Sequence, residues 1–198
     1  MTDVLGAVRA RLTTHFADRG STAEPVGASV TFLGADPIEV LRYGPTDGDV
    51  YHYASLGCSR YPMTDPMDMV ADGIRGPRAE AVLSLRGPTP TALARSIAVL
   101  ASAPAVEGLI LEPDALIDLQ QSVWQGAAFT AFLLGASDVG EVELPEPYQP
   151  VRILSATPIT ATEAAWVRLK GADAMRDAWQ QDGVDVLDQR RRAAEPRA

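Results

Sequence analysis

The spacing of apolar residues changes along this chain, and the order of the patterns limits the folds available to it. Helical spacing dominates residues 2–18, where Val4, Val8 and Leu12 fall on one face. Short alternating or continuous apolar runs, which are typical of strands, fill most of the middle of the chain. These runs are residues 29–33, 38–43, 49–59, 81–85, 109–111, 127–134, 141–144 and 151–156.

Three further helices are indicated by capping signals and spacing. The Thr-Pro pair at residues 89–90 supplies an N-cap and a first helical residue. Residues 160–163 form a capping box before the next helix, which Gly171 ends. Met175 and Trp179 share one face of the last helix.

Helices and strands therefore do not alternate regularly, and neither an internal repeat nor a long linker divides the 198 residues. This order predicts an α+β fold, with a mixed, largely antiparallel sheet and helices packed against it. We expect one domain over residues 1–198, with a polar tail that frays over residues 190–198.

The chain is acidic, with a formal net charge of −9 and a sequence pI near 4.7. Nucleic-acid backbones and anionic membrane surfaces repel such a surface, so neither is an expected partner. A basic protein is a compatible partner, because complementary charge speeds encounter. The charge also has a simpler interpretation, since a net negative balance by itself keeps a protein soluble.

The compartment predicted from the sequence is the cytoplasm. Cys58 is the single cysteine, so the chain cannot form an internal disulfide. Residues 1–16 lack the basic and apolar regions of a secretory signal, and no apolar stretch approaches the roughly 20 residues that would span a bilayer.

The familiar catalytic patterns do not occur in this sequence. It has no Gly-x-Ser-x-Gly elbow and no phosphate-binding loop, and its only lysine is Lys170. His52 would lie roughly 20 Å from Cys58 along an extended strand, and His15 could approach only through tertiary folding. We therefore interpret Cys58 as an unreactive core thiol and predict a protein that is not an enzyme.

An acidic segment offers the alternative interpretation. Asp65, Asp68 and Asp72 have roughly helical spacing and could bind a hard cation through their oxygens. The alternative function is a small acidic hydrolase or lyase that uses a divalent cation or carboxylates near Asp65–Asp72. A solvated acidic face explains the same residues more simply, and we predict neither a metal nor a cofactor.

Two places in the sequence favour contact with another protein. Glu141 and Glu143 alternate with apolar residues before a proline, as in an edge strand that could accept a partner strand. Met63, Met67 and Met69 would give adaptable contacts if they were exposed. These five residues are the predicted binding residues, and the oligomeric state stays open.

Three segments in a fixed order resemble the suppressor of fused family. Residues 49–63 resemble that family's aromatic-rich strand followed by a Thr/Ser-x-Gly-x-Ser turn, here Ser-Leu-Gly-Cys-Ser at 55–59. Residues 79–117 resemble its next strand, helix and Gly/Pro-containing segment. Residues 151–171 match a strand followed by Pro-Ile-Thr-x-x-Glu and a helix.

This resemblance implies a domain that holds protein partners and has no known enzymatic activity. Bacterial relatives include proteins thought to neutralise toxins by direct binding, and many nuclease toxins are basic. The resemblance therefore implies a protein-binding domain, and it suggests a toxin-neutralising immunity protein. The family supplies no catalytic residues that could be carried over to this chain.

Overall fold

The computed structural model describes residues 2–65, 67 and 72–195. It contains four helices over these residues, α1 to α4, of which only α1 precedes the first strand. Their bounds are Val4–Ala17, Leu93–Glu107, Ala161–Lys170 and Ala172–Gln181. Seven strands, β1 to β7, span Val26–Val30, Ile38–Thr46, Val50–Leu56, Arg78–Arg86, Leu116–Asp118, Phe129–Val142 and Val151–Thr160.

The strands form one sheet in the order β1-β2-β3-β4-β7-β6-β5. Only the central β4–β7 pair is parallel, and the other neighbouring pairs of the described sheet are antiparallel. The predicted α+β class with a mixed, largely antiparallel sheet is therefore confirmed.

Helices cover both faces of the sheet. Successive strand residues point to opposite faces, and apolar side chains occur on each face. On β4, Ala81 and Leu83 pack in the cluster beneath α2, whereas Val82 packs in the cluster beneath α1. On β6, Leu133 joins the cluster beneath α3 and α4, while Phe132 faces the α2 side. The α2 face is thus opposite the face that α1, α3 and α4 share. Within the described residues, no helix has the length and apolar composition needed to cross a membrane.

The polar tail is docked as far as the structure describes it, so the expected fraying is wrong for residues 190–195. Arg191 and Ala194 are buried, and the guanidinium of Arg191 donates to Glu163 Oε1 at 2.8 Å. The amide of Ala194 donates to the same oxygen at 3.1 Å. A buried carboxylate needs hydrogen-bond donors and a cation, and the tail supplies them to Glu163. The tail is therefore ordered although its sequence is polar.

Candidate functional site

Three loops meet at one end of the sheet. Val30 of β1 pairs with Ile38, where β2 begins, and Leu56 at the end of β3 pairs with Glu39. Val151 at the start of β7 pairs with both β4 and β6 at this same end. Residues 31–37, 57–77 and 143–150 therefore leave the sheet together, and we call this region the loop end.

An apolar groove of about 470 Å³ opens at the loop end. The C-terminal part of α2 forms one wall, and residues of the first two loops form the other. Leu33, Tyr61 and Val106 line the groove and are exposed to solvent. Met67 and Ile74, in the second loop, add two more exposed apolar side chains. Clustered apolar exposure of this kind marks interaction sites more often than scattered single residues do.

A buried carboxylate fixes the turn that forms part of the groove wall. Glu80 of β4 is fully buried and accepts from the amides of Gly57 at 2.8 Å and Ser59 at 2.9 Å. It also accepts from the hydroxyls of Ser59 at 2.7 Å and Ser55 at 2.5 Å. Four donors therefore converge on one carboxylate, which gives the Ser-x-Gly-x-Ser pattern its structural role.

Gly57 is required in this turn by both conformation and space. Its φ is 148°, a left-handed value that L side chains rarely adopt. A Cβ at this position would lie 2.9 Å from Ile38 Cδ1 and 3.1 Å from the carbonyl oxygen of Pro37. The turn can therefore approach the start of β2 only because residue 57 has no side chain.

Arg78 ties the second and third loops together from beneath. Its buried guanidinium donates to the carbonyls of Ser59 at 2.7 Å, Arg60 at 3.0 Å and Ile74 at 3.1 Å. The guanidinium carbon also lies 5.4 Å from the ring centre of Tyr148 in the third loop. Burial lowers the pKa of Arg78, but a guanidinium stays charged at any physiological pH.

The five predicted binding residues do not form one exposed cluster. Met63 is only 5% exposed, and its sulfur accepts a hydrogen bond from the Leu111 amide at 3.2 Å, so it forms the floor of the groove. Met63 therefore does not meet the condition of exposure on which its predicted contact role depends. Met67 is 86% exposed, as a contact residue requires. Met69 lies outside the described residues.

Glu141 and Glu143 lie where β6 reaches the loop end. Glu141 pairs with Arg152 of β7 and lies 3.5 Å from its guanidinium, and Glu143 is exposed just after the strand. On the other side of β6, β5 pairs only with residues 131–133, and this part of β6 has no further strand partner in the described sheet. The carbonyl of Val139 accepts from Arg11 of α1 at 2.7 Å, so the helix covers part of that edge.

The acidic segment uses its described carboxylates to shape its own loop. Asp65 accepts from the Met67 amide at 2.8 Å, and Asp72 accepts from the amides of Ile74 at 2.8 Å and Arg75 at 3.0 Å. These backbone hydrogen bonds lower the pKa of Asp72. Asp68 lies outside the described residues, and the described part of the chain holds no cluster of three metal-binding side chains.

The thiol of Cys58 is not activated by a neighbouring base. Its burial, reinforced by the charge of Glu80, raises its pKa well above the usual value, although the residue as a whole is partly exposed. His52 is engaged elsewhere, because its ring nitrogens bond to Thr46 at 2.9 Å and Ser84 at 2.7 Å. A thiol with a raised pKa carries little thiolate, which agrees with the interpretation of Cys58 as unreactive.

Sequence reasoning missed Glu80, Arg78 and the groove itself. Glu80 alternates onto the same strand face as Ser84 and Arg86, as an exposed glutamate would, so no local signal marked it as buried. The groove gave no signal, because its two walls come from segments that lie about 40 and about 70 residues apart in the sequence.

Comparisons with known proteins agree with this architecture. The family model described as "Suppressor of fused protein (SUFU)" matches residues 34–192. Comparison with curated protein sequences gave no match. Among solved structures, a putative SUFU homolog from Neisseria gonorrhoeae FA 1090 is similar with a TM-score of 0.66 at 18% identity, over 99% of both chains.

Two further structures have the same fold. The Sufu–Fu complex matches with a TM-score of 0.68 at 15% identity, over 96% of this chain and 91% of that one. Drosophila Suppressor of Fused matches with a TM-score of 0.65 at 15% identity, over 96% of this chain and 51% of its own length. With a family match over residues 34–192, this chain belongs to the suppressor of fused family.

Proposed function

We propose that this chain is a non-enzymatic protein-binding domain whose partner docks on the groove at the loop end. The observation that carries the proposal is the set of exposed apolar side chains, Leu33, Tyr61 and Val106, around a groove with an apolar floor. Tyrosines in such positions contribute strongly to interfaces. Family membership supports a binding role, and the Sufu–Fu structure is that of a complex.

The rigid support beneath the groove favours binding by a preformed surface. The buried carboxylate of Glu80 accepts four hydrogen bonds from the turn, and the buried guanidinium of Arg78 donates three to the second loop. A surface that is already ordered loses less conformational entropy when a partner docks, so more of the contact energy appears as affinity.

We further propose that the partner is basic and that the chain acts in the cytoplasm as a toxin-neutralising immunity protein. The described parts of the three loops carry five exposed carboxylates, Asp36, Asp65, Asp72, Glu143 and Glu146, against two arginines, Arg60 and Arg75. Acidic loops at the same end of the sheet as an apolar groove attract a basic surface and orient its approach. The net charge of −9 acts in the same direction at longer range.

Site-specific photo-crosslinking in the source cells tests this proposal. A photoreactive phenylalanine analogue replaces Leu33 or Tyr61 in the groove, and Leu169 in the matched control. Leu169 is 72% exposed and belongs to α3, which begins at the opposite end of β7. We expect one basic protein to be captured from the two groove positions and to be absent from the control.

Purified components then give the quantitative test. We expect Leu33→Asp and Tyr61→Asp each to weaken binding of the captured protein by at least about tenfold, equivalent to 1.4 kcal/mol. Leu169→Asp should leave the affinity unchanged. Equal capture at all three positions, or equal affinities for the three variants, would contradict the groove as the docking site.

A further inference from the structure

The edge strand β1 has an unprotected backbone edge. Within the described sheet it pairs only with β2, and its residues Val26–Val30 carry no charge and no proline. The opposite edge strand, β5, is only three residues long and carries Asp118, which forms an ion pair with Arg168 at 2.6 Å. Charged residues, prolines, bulges and very short strands are the usual protections of a sheet edge. β5 is short and charged, whereas β1 has no charge, no proline and no bulge.

Hydrogen-bond alternation shows which backbone groups of β1 are free. Gly87 donates to the carbonyl of Asp49 at 2.9 Å, so the odd-numbered residues of β3 bond to β4 and the even-numbered ones to β2. In the register of β2, its odd-numbered residues then bond to β3 and its even-numbered residues bond to β1. The partners of those even-numbered residues on β1 are Val26, Ala28 and Val30. The amides and carbonyls of Gly27 and Ser29 therefore point outward, and in the described structure they have no partner.

The sequence of this edge, Val-Gly-Ala-Ser-Val, is complementary to itself in an antiparallel arrangement. A twofold axis through Ala28 would place Gly27 opposite Ser29 of a second copy, and Val26 opposite Val30 of that copy. The outward groups of Gly27 and Ser29 would then exchange four hydrogen bonds as two hydrogen-bonded pairs. Ala28 would face its own copy in a non-hydrogen-bonded pair, where close approach favours a small side chain.

The charges around the edge do not oppose this arrangement. The nearest charged residue in sequence is Glu24, which the same register places opposite Phe32 of the second copy rather than opposite its own equivalent. Glu39, which neighbours Ser29 on β2, is paired with Arg9 at 2.5 Å. Like charges therefore do not meet directly across the axis.

We propose that two copies of this chain associate through β1, which joins their sheets into one continuous antiparallel sheet. An isologous contact requires a patch that complements itself, and the outward groups of Gly27 and Ser29 meet this condition in one register. The interface uses a different part of the surface from the groove residues Tyr61 and Val106, so the proposal goes beyond the proposed binding function.

Sedimentation over a series of protein concentrations tests the association. We expect a monomer–dimer equilibrium for the unmodified chain and a monomer for Ser29→Pro at every concentration. Proline removes an outward amide and no bond to β2, so the fold tolerates it at this edge. The control Ser29→Thr keeps the amide and should keep the dimer. An unmodified chain that stays monomeric throughout would overturn the proposal.

Cysteine crosslinking tests the register without relying on proline. In a Cys58→Ala background, Ala28→Cys places two thiols across the axis, within the Cα separation that a disulfide requires. Val26→Cys lies on the same strand and is also exposed, but its thiols would be about 13 Å apart. We expect oxidation to give a covalent dimer for Ala28→Cys only. Equal crosslinking of the two variants would contradict the register.

Discussion

At the scale of single residues, Glu80 is the side chain on which the candidate site depends most. It accepts four hydrogen bonds in a place from which solvent is excluded. Replacing a carboxylate with an amide removes the charge and brings an N–H₂ group against these donors. We expect Glu80→Gln to lower the free energy of unfolding by about 3 kcal/mol, measured by urea denaturation.

The matched control is Glu141→Gln, because Glu141 undergoes the same chemical change in an exposed ion pair. Exposed pairs of this kind contribute about 0–1 kcal/mol, so this variant should be nearly as stable as the unmodified chain. Equal effects of the two substitutions would show that the Glu80 network does not hold the turn.

His52 should make the free energy of unfolding depend on pH. Burial is the main cause that lowers its pKa from 6.5 to about 4 in the folded state. Between these two values the unfolded chain binds a proton that the folded chain does not, so stability falls as the pH is lowered. We expect His52→Gln to flatten the plot of unfolding free energy against pH between about pH 6.5 and 4. An unchanged slope in the variant would exclude His52 as its source.

Residue-scale predictions from the sequence succeeded where the signal was local. The Ser-x-Gly-x-Ser pattern at residues 55–59 was recognised, but its partner Glu80 is more than 20 positions away and was not identified. Met63 was predicted to be a contact residue only if it were exposed. The backbone of Met63 instead donates to the Pro77 carbonyl at 2.8 Å and turns the side chain inward. Neither outcome can be read from neighbours in the sequence.

At the scale of elements, Glu163 connects α3, α4 and the tail. It completes the capping box of α3 through the amide of Thr160 at 2.9 Å. It also accepts from the indole of Trp179 at 2.9 Å and from Arg191 at 2.8 Å and 3.0 Å. A predicted helix cap is therefore also the docking point of the tail.

Removing the arginine should release the tail and destabilise α3. Arg191→Ala leaves a buried carboxylate without its cation, and we expect a loss of about 3 kcal/mol in unfolding free energy. Arg190→Ala is the control, because Arg190 is the exposed neighbour in sequence. Limited proteolysis should cut the tail of the Arg191→Ala protein first. Equal stability of the two variants would contradict the docking role.

The pair of Glu163 and Arg191 should also make stability depend on pH under acidic conditions. Burial by itself raises the pKa of Glu163, but hydrogen bonds, first that from Arg191, outweigh it and hold the pKa below its usual value of 4.5. The unfolded chain therefore takes up the proton first, and stability is lost as the pH falls below about 4.5. We expect Glu163→Gln to lose less stability than the unmodified chain over that range in acid titrations followed by circular dichroism. A parallel loss in both would contradict the assignment.

The boundaries of elements were predictable only where local sequence decides them. The capping box at Thr160 is present as expected, because its two bonds lie within four residues. The predicted N-cap Thr89 and first helical residue Pro90 of α2 are wrong. Thr89 Oγ1 accepts from Arg42 and Tyr53, both at 2.9 Å, and the helix begins at Leu93 with Ala92 as its N-cap. Residues 109–111, predicted as a strand, lie outside any strand.

Two predicted strands also merged into one. Residues 127–134 and 141–144 were expected to be separate, but β6 runs from Phe129 to Val142 with a shift of register between Ala136 and Glu141. Such an irregularity bends a long strand and interrupts its apolar pattern. The interruption in the sequence was real, but it marks a bend within β6 rather than a break between two strands.

At the scale of the whole molecule, the fold class and family were predictable and the groove was not. The order of helices and strands fixes the class, because it excludes a regular alternation. The groove depends on which loops share one end of the sheet, and this follows from the strand order β1-β2-β3-β4-β7-β6-β5. Residues 33 and 106 come together only through that order.

The net charge of −9 predicts opposite salt dependences for the two proposed interfaces. Attraction between the acidic loop end and a basic partner weakens as salt screens it, since the Debye length falls from about 30 Å at 0.01 M to about 10 Å at 0.1 M. Self-association through β1 brings two equally charged copies together, so the same screening should strengthen it. Sedimentation measures how self-association changes with sodium chloride concentration. Titration with the purified partner measures how partner binding changes over the same range. Tyr61→Asp should weaken only binding of the partner, and Ser29→Pro should abolish only self-association. Salt dependences of the same sign would contradict the charge argument for one of the interfaces.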